Sequence, residues 1–147
     1  METSGQNYKY VKWKSAEEMH FSSNQWISEL NFIKDEHQFF EDVLKEYTLP
    51  IIESHLLSKV KDIIYRLTKY KQKADTLLNK ITEHRNGLQV MVDGINQLEE
   101  ENIYKKEHRK LLIDENQFSL EYNDLKKEIF ETISQALKQQ KQKRLLS

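Results

Sequence analysis

Apolar residues recur along most of this chain at alternating spacings of four and three, the heptad signature of helices that bury one stripe. The first stripe is Met19, Ser23, Trp26, Leu30, Ile33, His37, Phe40, Leu44 and Tyr47, apolar at seven of nine positions. It begins after Ser15 and Glu18, three apart, a pairing that can satisfy the open backbone N–H groups of a helix start. Thr48-Leu49-Pro50 should end it, because the residue before a proline is pushed out of the helical region and Pro50 itself suits the opening of a new helix. The second stripe is the longest: Leu56, Val60, Ile63, Leu67, Tyr70, Ala74, Leu77, Ile81, His84, Leu88, Met91, Ile95 and Leu98, apolar at twelve of thirteen positions. Asn86-Gly87 resembles a helix stop, but the stripe crosses Gly87 and Gly94 without a change of phase, which favours one continuous helix. The phase fails after Leu98, so a turn is expected at Glu99 to Asn102. A third stripe follows: Tyr104, His108, Leu111, Glu115, Phe118, Tyr122, Leu125, Ile129, Thr132 and Ala136.

The expected fold is all-α, with three long antiparallel helices at about 15–47, 51–98 and 103–143 forming a bundle or coiled-coil-like rod. Short connections make neighbouring helices antiparallel, with left-handed packing. Residues 1–14 form a separate polar and aromatic arm, and 15–147 a single helical domain. Counting outward from a first turn at Thr48 to Pro50 sets Ser15 level with about His84. The stretches Leu88–Leu98 and Tyr104–Leu111 would then extend past the first helix. Their cover would be the arm, through Tyr8, Tyr10 and Trp13, or a second copy of the chain.

Composition narrows the chemistry. The 147 residues contain no cysteine, three glycines and one proline, which excludes disulfides, thiolate metal sites and cysteine nucleophiles, and leaves no glycine-rich phosphate loop or nucleophile elbow. No apolar run exceeds three residues, against the roughly 18 to 20 that span a bilayer, and no apolar leader core is present, so a cytoplasmic location is expected. Net charge is −1, and Lys138, Lys141, Lys143 and Arg144 sit where a helix C-terminus favours cations. Nucleic-acid or membrane-surface binding through these basic ends is therefore the weakest functional reading.

Polar residues interrupt the stripes at His37, His84, His108 and Glu115, and such breaks are where register control or function resides. In the antiparallel register, His20, His84 and Glu115 fall within about two turns of one another, a candidate metal cluster. Glu17 and His20 supply one Glu-x-x-His of the kind that di-iron bundles use in pairs. The stretch Asp35 to Glu41, with His37 and Glu41, resembles the His-x-x-x-Glu stretch of hemerythrin-like oxygen-binding bundles; the chain contains no His-x-x-x-His. The leading expectation is a non-catalytic interaction or scaffold protein without a cofactor, packing helix faces against itself or another protein. A metal-binding bundle is the alternative.

Overall fold

A computed structural model describes residues 15–93 and 98–146. The protein is an all-α bundle, with 96% of the described residues in four helices and no strand among them. The helices are α1 (Ala16–Glu46), α2 (Thr48–Glu53), α3 (Leu57–Asp93) and α4 (Leu98–Leu146). None of the helices in the described residues is long and apolar enough to cross a membrane.

Helix α1 starts as its sequence requires. The Ser15 hydroxyl accepts the Glu18 amide at 3.2 Å and donates to the Glu18 carboxylate at 3.3 Å, satisfying one of the amides that a helix start leaves open.

The first corner differs from the expected one. α1 stops at Glu46, but Thr48-Leu49-Pro50 opens the six-residue α2 instead of separating two long helices. Pro50 is third in that helix, where its missing N–H removes no intrahelical bond. The break falls at Ser54, whose backbone is extended (φ −90°, ψ 169°). Its hydroxyl donates to the Ile51 carbonyl at 2.7 Å and accepts the Leu56 amide at 3.2 Å, a local bond that competes with continuing the helix. α3 therefore begins at Leu57, not at 51.

The second corner is displaced too. Glu99 to Asn102, expected as a turn, lie inside α4, which starts at Leu98 and not at 103. Glu99, Glu100 and Glu101 occupy its first turn, where the helix dipole favours negative charge, and Lys143 and Arg144 its last. α3 passes Gly87 without a break; Gly94 and Ile95 lie outside the described residues.

Gly87 stands against the ring of Tyr104. A β-carbon there would lie 2.8 Å from Tyr104 Cζ and 2.9 Å from Cε1. Alanine in place of a mid-helix glycine ordinarily stabilises by about 1 kcal/mol; Gly87→Ala is expected to give no gain, because the tyrosine must move. Urea melts check this, and Tyr104→Ala in the same background should restore the gain. A full gain from Gly87→Ala alone would refute the close packing.

The chain divides into two compact units, each drawing a stretch from α1, α3 and α4. Unit 1 comprises Met1–Asn31 and Asp75–Phe118, and unit 2 Phe32–Ala74 and Ser119–Ser147. In unit 1 the core includes Met19, Leu30, Ile81 and Leu88, all fully buried. Unit 2 is built around Phe40, Ile63, Leu67, Tyr122, Leu125 and Ile129. There the Arg66 guanidinium grips both Glu128 oxygens at 2.6 and 2.9 Å, which holds the Glu128 carboxyl below its usual range. Tyr70 meets Tyr122 edge to face at 6.5 Å. Contact positions rise on α3 as they fall on α4, the order of an antiparallel pair. The α1 contacts Glu36 with Lys126 (2.9 Å) and Phe40 with Phe130 (5.6 Å) rise together with α4.

Candidate functional site

The three histidines and the glutamate that interrupt the apolar stripes are buried: His37 is 3% exposed, His84 1%, His108 0% and Glu115 6%. In unit 2, His37 Nε2 donates to Glu41 one turn on at 2.8 Å, while buried His37 Nδ1 meets no hydrogen-bond partner. An i,i+4 His–Glu pair ties two adjacent turns of one helix together.

Unit 1 holds a larger cluster. His84, on α3, bonds through Nδ1 to the Glu107 carboxylate at 2.5 Å and through Nε2 to His108 Nδ1 at 2.9 Å. The two imidazoles are stacked, with centroids 5.1 Å apart and planes 29° apart. On the other side of His108 lies the Trp26 indole of α1, centroids 4.5 Å apart and 26° between planes. The Tyr104 ring stands 5.7 Å from His84. Three helices thus place four rings and one carboxylate together, with α4 supplying Tyr104, Glu107 and His108 from adjacent turns.

Burial sets the charge of the pair. Desolvation lowers the His84 pKa against the opposing pull of Glu107. Desolvation, and then His84 itself, lowers the His108 pKa to about 3. Both rings are neutral at pH 7. His84 Nδ1–H then donates to Glu107, which leaves Nε2 to accept from His108 Nδ1–H. Beside His84 opens a cleft of about 580 Å³, lined by Lys80, Glu83, Tyr104, Lys106, Glu107 and Lys110. Its rim carries both signs of charge and favours neither an anion nor a cation.

The residues expected from the sequence fall differently. Tyr8, Tyr10 and Trp13 lie outside the described residues. His20 is half-buried and pairs with Asn24 on its own helix at 3.4 Å. Glu115 is buried on α4. His84 faces His108, a heptad away from Glu115. The reason is the corner: with a turn at 99–102, His84 would come level with residues near 117, whereas His84 and His108 both stand twelve residues from position 96. Among the described residues, no three His, Asp or Glu side chains are grouped to hold a metal ion.

Among the described residues of unit 1, the helix ends are level where the sequence pointed to an overhang. Arg85 donates to Asn24 Oδ1 at 3.1 Å, and Ala16 lies eight residues before Asn24 as Asp93 lies eight after Arg85. The start of α1 therefore comes level with the end of α3, because the first corner bends at Ser54 to Leu56 instead of at Thr48 to Pro50. Leu88 and Leu111 are buried, 0% and 4% exposed. Among the basic residues near the C-terminus, Lys143 donates to the Glu53 carbonyl at 3.0 Å, an intramolecular role.

No family model, curated protein or solved structure matches this chain.

The stripe pattern did not anticipate a second feature, the aromatic surface of unit 2. Phe32 is 62% exposed and Phe39 55% exposed, and their seven-residue spacing sets both on one face of α1. Phe39 contacts Phe40, and Phe40 contacts Phe130, each at 5.6 Å and edge to face. Phe130 on α4 is itself 51% exposed.

Proposed function

We propose that the protein is a non-catalytic interaction or scaffold protein that packs helix faces against a second copy of itself or against another protein. The observation that supports this reading is the set of phenylalanines in unit 2, Phe32, Phe39 and Phe130, each more than half exposed. Solvated phenylalanine forgoes the roughly 1.5 to 3 kcal/mol that burial of such a side chain provides, and clustered exposed apolar groups mark interaction surfaces. Aromatic anchors also dominate the energetics of protein interfaces. The chemistry of unit 1 fits the same reading: its imidazoles are packed against a carboxylate and an indole inside the bundle.

Native mass spectrometry across protein concentration tests the reading, with the double variant Phe39→Ser, Phe130→Ser as control. A dimer that grows with concentration and is lost in the variant is the result expected for self-association. A monomer at every concentration would confine the partner to another protein. A stoichiometric metal mass, lost on His84→Ala, would replace this reading with the metal-binding one, whose candidate ligands are His20, His84 and Glu115.

A further inference from the structure

Two buried imidazole nitrogens 2.9 Å apart, His84 Nε2 and His108 Nδ1, have room between them for one hydrogen. With both rings neutral, His108 donates it. A first added proton is also accommodated: it enters at His108 Nε2, the hydrogen between the rings passes from His108 Nδ1 to His84 Nε2, and the resulting His84 imidazolium donates Nδ1–H to the Glu107 carboxylate and Nε2–H to His108, so both hydrogen bonds persist. A second added proton is not, since both facing nitrogens would then carry hydrogen and two cations would stack with centroids 5.1 Å apart. We propose that this pair makes unit 1 a proton-operated latch, closed with at most one added proton on the two histidines and opened when both are charged.

The surroundings support a device of this kind. His84 sits on α3 and His108 on α4, so loss of their bond acts between helices and not within one. The Glu107 carboxylate bonded to His84 has a side chain 50% exposed while that of His84 is 0% exposed, so the first charge is stabilised by a group that itself meets solvent. Groups from each helix stand around the pair. α1 presents the uncharged Trp26 indole, and Asn24 beside it holds the Arg85 guanidinium. α3 adds Lys80 and Glu83 at the cleft, and α4 adds Tyr104, Lys106, Lys110 and Asp114 besides Glu107. Of these carboxylates, Glu107 is bonded to His84. The Trp26 indole covers His108 on the side away from His84. Burial and the neighbouring His84 both oppose protonation of His108.

Hydrogen exchange and ring-nitrogen NMR on the full chain between pH 7 and pH 4 test the latch. After correction for intrinsic exchange, amides of Ile81, Leu88 and Leu111 should open at least tenfold more per pH unit as pH falls, as expected when opening is coupled to proton uptake. Amides of Ile63, Leu67 and Ile129 in unit 2 should lag. In His108→Asn, whose amide N–H can take the place of Nδ1–H but does not titrate, the extra opening of unit 1 should vanish. Equal pH dependence in parent and His108→Asn would overturn the proposal. Should that variant not fold, the parent decides: both rings of the pair observed protonated while unit 1 remains closed would equally overturn it.

Discussion

Replacing Tyr122 with alanine is expected to destabilise the protein by about 3 to 5 kcal/mol, the usual cost of deleting a large aromatic side chain from a packed core. Tyr122 is 2% exposed and is the largest of the fully buried side chains. Its ring receives Tyr70 edge to face at 6.5 Å and lies under the Lys126 ammonium at 5.8 Å, so truncation removes contacts with α3 as well as α4. At roughly 2 to 4 °C per kcal/mol for a chain of this size, the melting temperature should fall by about 10 °C. Tyr122→Phe separates ring from hydroxyl. Burial, with the Glu36 carboxylate nearby, pushes the phenol pKa well above its usual range, so the hydroxyl stays protonated and donates to the Ile33 carbonyl at 3.5 Å. A bond that long is weak, and its loss should cost about 1 kcal/mol or less. Calorimetry on the two variants measures both. Equal losses would mean that the hydroxyl, and not the ring, is what the core requires.

Acid should weaken the protein well above the range in which carboxylates protonate. A histidine whose folded pKa lies below its unfolded value binds protons more readily once unfolded, so stability is complete above the unfolded value and declines as pH falls toward the folded one. For His108 that window runs from 6.5 down to about 3. A displacement of that size corresponds to roughly 5 kcal/mol, a large share of the 5 to 15 kcal/mol that holds a typical domain folded. His84, lowered as well by desolvation, acts in the same direction. Glu128 adds a separate loss at lower pH: its folded carboxyl pKa lies below 4.5 through the Arg66 hydrogen bond, so its contribution is present above 4.5 and disappears as pH drops through the folded value. Urea denaturation at half-unit pH intervals should show stability already falling between pH 6.5 and 5, and His108→Asn should flatten that stretch while leaving the Glu128 region unchanged. A parent curve that is flat down to pH 5 would show that the imidazoles are not held neutral.

Helix content and the buried positions could be read from residues alone. Every described position of the third stripe except Tyr104 is buried, and the polar interruptions His84, His108 and Glu115 are as inaccessible as the leucines around them. Periodicity carries this information because a helix repeats every 3.6 residues wherever it lies, so a stripe defines its inner face without reference to any partner. The corners were less legible. Pro50 pointed to a break that the chain makes four residues later, since a proline in a first helical turn costs nothing and the decisive bond, from the Ser54 hydroxyl to Ile51, has no periodic signature. Glu99 to Asn102 suited a turn by phase but suited a helix start equally well by charge.

The candidate site suffered most from those few residues. Moving a corner by n residues changes the partner of every residue on the returning helix by about twice n, and that is why His84 meets His108 and Glu107 and not Glu115. The exposed phenylalanines of unit 2 were invisible for another reason, since they lie off the stripe and a search for burial passes over them. The sequence by itself determined that this protein is helical and which face of each helix turns inward, because both follow from local periodicity. Only the tertiary structure decided which inward faces meet, because register between helices depends on where the chain turns, and turns are set by single hydrogen bonds.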